Sequence, residues 1–269
     1  MNGMGFNLMS DVFPVAGVFL LAYFTAWFMA AEAIRNASIV DIGWGAGFVL
    51  LAALQLARGF SVPGFLLAFP IWVWGVRLAW HIGRRNWGKP EDFRYAAFRR
   101  DWAKRYRVRA YFQLFLFQGF LMGVISLPFL FGIRLAERLQ DFTGVRLIPM
   151  GAGLLLWLAG FLLEAISDAQ LGWFTRNPGN KGKVMSAGVW GYSRHTNYFG
   201  EAVSWWGIWL AALSVGTPWW TVIGPMTITF FLRYVSGVPM LEKRMESRAG
   251  YAEYAARTPI FMPLRFRRP

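Results

Sequence analysis

Ser193-Arg194-His195-Thr196-Asn197-Tyr198-Phe199-Gly200-Glu201 leads directly into an apolar segment that begins at Ala202. Arginine, histidine, asparagine, tyrosine and glutamate crowd the threshold of that segment. A bilayer boundary does not require so much hydrogen-bonding chemistry; a site that grips a charged, many-armed ligand does. Outward from this stretch the chain is strongly apolar. Of its 269 residues 56% are hydrophobic and 18% aromatic, with a mean hydropathy of +0.37, which is the composition of a membrane protein. A helix needs about 20 apolar residues to cross the hydrocarbon core. Segments 13–33, 39–56, 63–82, 110–133, 147–174, 198–215 and 218–240 meet that need. The expected fold is all-α: a polytopic membrane protein with seven transmembrane helices in one bundle over residues 1–269 and no separate soluble domain.

Other classes are disfavoured by what the chain lacks. There is no cysteine, hence no disulfide framework, thiolate nucleophile or sulfur-ligated metal. Histidine occurs only at 81 and 195, which disfavours a zinc or di-iron centre, and no metal ligands are assigned. No repeat of 20–50 residues is visible, so transporter-like inverted symmetry is not supported. The N-terminus has no basic leader or small-residue cleavage site, so segment 13–33 is expected to be a retained span.

A net charge of +14 invites a nucleic-acid reading, but its distribution does not. With seven spans and the N-terminus outside, the inward segments carry 22 of the 28 lysines and arginines. That asymmetry is the positive-inside signature, with the C-terminus cytoplasmic. The basic charge then serves topology and attraction to anionic lipid, with a share left for binding phosphate. No nucleic-acid partner is expected.

Ionisable groups inside a span cost on the order of 3 kcal/mol each, so the ones present are informative. Asp41 and Trp44 share a helix face in Asp41-Ile42-Gly43-Trp44-Gly45-Ala46-Gly47. Asp41 either pairs with a neighbour in a packing motif or sits as a neutral acid that donates a hydrogen bond. Arg77 and His81 lie one turn apart among Trp72, Trp74 and Trp80, and Arg77 either snorkels to the inner surface or serves a site. Glu164 and Asp168 share a face beside Ser167. Two like charges there need a cation or a hydrogen-bond donor between them, and a ribose or an arginine suits better than a metal. Arg176-Asn177-Pro178-Gly179-Asn180-Lys181-Gly182-Lys183 is a turn or a phosphate cradle. The tail from Glu242 to Tyr254 reads as an amphipathic helix broken at Gly250, either interfacial or a lid.

Together these residues resemble the steroid 5-alpha-reductase family, in its bacterial integral-membrane branch, from about Asp41 to Pro263. Asn197-Tyr198-Phe199-Gly200-Glu201 is the most specific part, preceded by Asp168 and Arg176-Asn177-Pro178-Gly179. The second part runs from Glu242 through Tyr254 to Pro263. This C-terminal half also resembles sterol reductases and, more loosely, isoprenylcysteine methyltransferases. The resemblance implies a seven-helix reductase that takes NADPH from the cytosol. Helices in 147–269 would mainly hold the cofactor, and helices in 1–133 would mainly enclose a steroid-like enone whose C=C bond is reduced. Asp168, Arg176, Asn197, Tyr198 and Glu201 fall on cofactor-contacting positions. Glu164 falls where the eukaryotic enzymes have asparagine, and Arg77 on an arginine that follows the catalytic tyrosine. Lys181, Tyr192, Arg194, His195, Arg244, Arg248 and Tyr254 complete the expected cofactor set.

The chain departs from that family where the chemistry is done. Val40-Asp41 stands for a Gln-Glu pair, and about Trp74 for the tyrosine. Asp41 and His81 are then the candidate proton donors, with Trp44 and Trp74 as pocket residues. The expected setting is a monomer in the bacterial inner membrane, acting on a steroid-like or other enone lipid. An S-adenosylmethionine-dependent methyltransferase of the isoprenylcysteine type and a non-catalytic lipid-binding protein are the alternatives.

Overall fold

A computed structural model describes residues 2–86 and 88–263, with side chains from residue 8 onward. Among the described residues every regular element is helical. The main helices are α1 (Asn2–Ile34), α2 (Val40–Ala57), α3 (Val62–Asn86), α4 (Phe93–Trp102), α5 (Tyr106–Arg109), α6 (Phe117–Glu137), α7 (Leu147–Arg176), α8 (Thr196–Leu213), α9 (Ile223–Phe230), α10 (Val238–Met245) and α11 (Tyr251–Arg257). Two π-helical segments interrupt the ladder: Ala110–Leu116 joins α5 to α6, and Phe231–Val235 extends α9.

Six helical stretches are long and apolar enough to cross a membrane: Leu8–Ile34, Ala37–Ala57, Val62–Asn86, Phe93–Glu137, Gly144–Arg176 and Trp219–Met245. They contain the expected segments except 198–215. That segment is helical as α8, but Thr196, Asn197, Tyr198 and Glu201 in its first turns dilute the apolar run. The structure thus supports six such helices, with α8 as the more polar one.

The chain divides into two compact units. The first comprises residues 1–147 and 212–221. Its core is aromatic and branched: Phe24, Phe48, Leu51, Leu67, Ile71, Phe115, Met122 and Phe129 are fully buried. α2 and α3 approach closely because Gly45 and Gly75 leave their side-chain space empty; a Cβ on Gly45 would lie 2.5 Å from the Gly75 carbonyl oxygen. Several charges within this unit are paired. Asp11 accepts from Arg58, Arg134 and Arg138. The segment before α4 folds onto the start of α2. Glu91 accepts from the Ala37 N–H at 2.7 Å and twice from Arg99 at 3.0 Å. The Asp92 N–H donates to Ser38 at 2.6 Å, and the Asp92 side chain caps α4 through the Arg94 N–H. Burial works to raise the pKa of both carboxyls, but the arginine and backbone donors outweigh it and hold Glu91 and Asp92 below the usual range.

The second unit comprises residues 148–211 and 222–269. Its spine is the antiparallel pair α7 and α8. Gly153 and Gly160 on α7 face Gly207 and Gly200 on α8, spaced seven residues apart on each helix. A Cβ on Gly160 would meet the Gly200 carbonyl oxygen at 2.5 Å, and one on Gly200 would meet the Gly160 carbonyl oxygen at 2.6 Å and the Glu164 nitrogen at 2.7 Å. Beyond α8 the tail packs back on this unit, with Val238 and Phe261 in a cluster with Ala202. Gly250, at φ 77°, makes the break between α10 and α11.

Gly200→Val is expected to cost about 1–3 kcal/mol by overpacking α7 against α8, read as a lower melting temperature in detergent. Gly151→Ala, where an added Cβ meets nothing within 4 Å, is expected to leave the melting temperature unchanged or slightly raised. Equal behaviour of the two variants would remove the close contact as a determinant.

Candidate functional site

The glycine contact between α7 and α8 sets what lies beside it. One turn beyond Gly160 comes Glu164, and two turns beyond come Ser167 and Asp168; on the facing strip of α8 lie Thr196, Asn197, Gly200 and Glu201. With backbones this close, short polar side chains meet directly. Ser167 Oγ and Thr196 Oγ1 are 2.6 Å apart, and Ser167 also donates to the Leu163 carbonyl at 2.6 Å. Asn197 Nδ2 donates to Asp168 Oδ1 at 3.2 Å. That bond orients the amide, because a carboxylate can only accept from the NH₂ end. The opposite end, Asn197 Oδ1, is buried and has no hydrogen-bond partner among the described residues. Such an acceptor costs about 1–3 kcal/mol when left unmade, and it stands in a region rich in acceptors. Glu164 is 3% exposed and Glu201 8%. A ligand that donates several hydrogen bonds, as ribose hydroxyls and carboxamides do, complements this set.

The loop after α7 is basic and exposed at Arg176, Lys181 and Lys183. Its turns are built locally: Asn177 Oδ1 accepts the Gly179 N–H at 2.9 Å, and Asn180 Nδ2 donates to the Phe174 carbonyl at 3.0 Å. The loop then ties back to α7, since Gln170 accepts from the Val189 N–H and Trp190 Nε1 donates to the Ser167 carbonyl, both at 3.1 Å. Tyr192 and Arg244 are exposed.

Arg194 and His195 are engaged elsewhere. Arg194 reaches Glu242 through Nε at 3.2 Å and NH2 at 2.7 Å, and NH1 donates to the carbonyls of Ala255 and Thr258, both at 2.8 Å. Four of its five donor hydrogens are therefore used within the protein. His195 Nε2 lies 2.7 Å from Glu242 Oε1; a carboxylate only accepts, so Nε2 carries the hydrogen. The ring stacks on Tyr198 at 6.0 Å and 7°. Around this clasp Ser193 donates to the Phe261 carbonyl at 2.7 Å, Tyr254 to the Trp190 carbonyl at 2.6 Å, and Arg248 to the Lys183 carbonyl at 3.2 Å. Arg194, His195, Arg248 and Tyr254, expected as cofactor ligands, thus bind the tail to the loop. The expected amphipathic tail is two short helices held down by this network.

In the first unit, Asp41 accepts from Arg94 NH2 at 2.9 Å and from the Tyr95 hydroxyl at 2.5 Å. The pairing with neighbours, one of the two roles open to Asp41, is thus present. Arg94 also binds Asp92 at 2.8 Å, so the pair belongs to the network around α4. Trp44 and Trp74 both meet Phe48 edge to face, at 5.4 and 5.5 Å, and Trp74 is buried. Arg77 and His81 are half-buried on α3. Sequence reasoning missed Arg94, Tyr95, Glu242 as a partner of Arg194, and Gln170. Arg94 and Tyr95 sit in a stretch whose basic residues read as serving topology, anionic lipid or phosphate, and each of these pairings except that of Gln170 spans more than 45 residues.

No group of three or more His, Asp or Glu side chains suited to a metal ion exists among the described residues. A family described as a protein of unknown function (DUF1295) matches residues 27–258. No curated protein and no solved structure matches the chain.

Burial lowers the pKa of His195, with Arg194 and Arg233 adding to it against the pull of Glu242. The folded ring takes up its proton at a lower pH than the unfolded chain, which does so near 6.5. Stability linked to this ring is therefore full above about pH 6.5 and declines as pH falls below it. Between pH 7 and 5.5 the melting temperature should fall more steeply for the wild type than for His195→Gln; parallel slopes would exclude the ring. Glu242→Gln, which leaves Arg194 without its counter-charge, should lose on the order of 2 kcal/mol and speed hydrogen exchange in α10 and α11.

Proposed function

The chain belongs to the DUF1295 family of proteins of unknown function, and from this premise we propose that it is a membrane-embedded, NADPH-dependent reductase acting on the C=C bond of a steroid-like enone. The single observation that carries the cofactor reading is Asn197 Oδ1: a buried acceptor without a partner, on an amide oriented by Asp168, beside the buried Glu164 and Glu201. An acceptor-rich cradle followed by the exposed basic residues Arg176 and Lys181 fits a ligand with hydroxyl and amide donors at one end and phosphates at another. In this reading Glu164, Asp168, Asn197 and Glu201 bind the donor-bearing parts of NADPH, and Arg176, Lys181 and Arg244 the phosphates. NADPH would supply the hydride.

The remaining work falls to the protein. A carbonyl whose β-carbon gains a hydride develops negative charge on oxygen, and a hydrogen-bond donor there lowers the barrier. Tyr95 is a buried phenol whose single O–H is given to Asp41 at 2.5 Å; it takes the donor role in this proposal by turning that hydrogen to the substrate oxygen, while Arg94 remains on Asp41. Trp44 and Trp74, both packed edge to face on the buried Phe48, would be the apolar residues that exclude water and strengthen such a bond. His81 remains in the proposal as the group that restores the proton. The proposal includes seven spans, α8 among them, with the N-terminus outside in a bacterial inner membrane; the basic asymmetry of the chain supports that orientation.

Titration of the purified protein with NADPH and with S-adenosylmethionine separates reductase from methyltransferase. NADPH alone is expected to bind, and Asn197→Ala to weaken it about tenfold. Tyr95→Phe should cut turnover of a 3-oxo-Δ4 steroid about a hundredfold or more while leaving NADPH affinity intact. Binding of S-adenosylmethionine alone, or of neither ligand, would overturn the reading.

A further inference from the structure

A cavity of about 570 Å³ opens on the second unit, away from the α7-facing strip of α8. Phe199, Val203 and Trp206 line it from α8 and Phe261 from the tail. These three α8 positions recur at helical spacing, on a different face from Asn197, Gly200 and Ser204. The opposite wall is the π-helical turn Phe231–Val235, which contributes Arg233 and Tyr234. A π-turn holds one residue more than an α-turn and rotates the next stretch of helix by about 100°. Arg233 lies within a segment apolar enough to span a membrane.

Some arginines inside such segments are neutralised by carboxylates. Arg94, Arg99 and Arg134 each meet a carboxylate. Arg233 has the Tyr234 ring at 4.7 Å and no carboxylate of a described residue within ion-pair distance. Two of the groove's other polar side chains are spent on each other and on backbone: Thr229 donates to the Pro225 carbonyl at 2.7 Å and accepts from Trp206 Nε1 at 3.2 Å, while Tyr234 is exposed. What is left is an apolar trough with one cation on its wall.

We infer that this groove binds an anionic phospholipid, with an acyl chain along Phe199, Val203 and Trp206 and the phosphate at Arg233. The volume lies in the range of small-molecule sites, and an apolar trough in a membrane-spanning region selects a chain from lipid. A neutral enone would leave Arg233 without a counter-ion. The inference does not rest on the reductase proposal.

The test uses the full chain in neutral detergent, with phosphatidylglycerol, phosphatidylcholine of matched acyl chains, or inorganic phosphate added. Native mass spectrometry and thermal shift are read for wild type, Arg233→Gln and Val203→Trp. Wild type should retain phosphatidylglycerol about tenfold over phosphatidylcholine and show no shift with phosphate. Arg233→Gln should lose the preference, and Val203→Trp, which fills the trough and keeps the charge, should reduce retention of both lipids. If Arg233→Gln does not fold, Val203→Trp decides alone. The inference is overturned if wild type shows no preference, if a folded Arg233→Gln keeps it, if phosphate alone protects, or if Val203→Trp retains both lipids or only dissociates a dimer.

Discussion

Backbone-to-backbone contact between α7 and α8 governs the second unit. Gly153 and Gly160 meet Gly207 and Gly200 with no room for a Cβ on either side. In lipid there is little hydrophobic drive to bring helices together, so dispersion and short polar contacts must do it, and both need close approach. The same closeness lets side chains as short as Ser167 and Thr196, or Asp168 and Asn197, touch. Longer separation would leave Asn197 free to rotate, and its carbonyl oxygen would not be held buried and waiting.

The Arg194–Glu242–His195 clasp plays the corresponding part for the tail. One guanidinium joins two carboxylate oxygens and two backbone carbonyls, so α10, α11 and the segment up to Phe261 are held to the loop before α8. The motif that stands out most in the sequence is thus divided by function. Its first half, Ser193 to His195, ties down the tail; in its second half Asn197 and Gly200 meet α7 and belong to the candidate site. Tyr198 stands between, stacked on the His195 ring. The other face of α8 bears the apolar trough beside Arg233.

Much of the architecture is legible in the sequence. Apolar runs longer than a bilayer is thick have few alternatives to helix, so the helices and most of their bounds follow from composition. The break at Gly250 follows from glycine alone, since its φ is one other residues avoid. Polarity inside α8 is visible in Asn197 and Glu201, although counting apolar residues alone hides its effect on that helix as a span.

Pairing was decided only by the tertiary structure. Asp41 gave no sign in the sequence of binding Arg94 and Tyr95, 53 and 54 residues away, nor Arg194 of meeting Glu242, 48 residues on. A charge in an apolar segment announces that a partner or a ligand must exist, because its isolation is too costly. It does not announce which, because that depends on where helices cross, and crossing is set by the packing of residues as small as glycine. The sequence by itself therefore determined an all-helical membrane protein with a polar site at the start of α8. The structure decided which polar residues bind one another, and it leaves Asn197 Oδ1 without a partner and Arg233 without a carboxylate among the described residues.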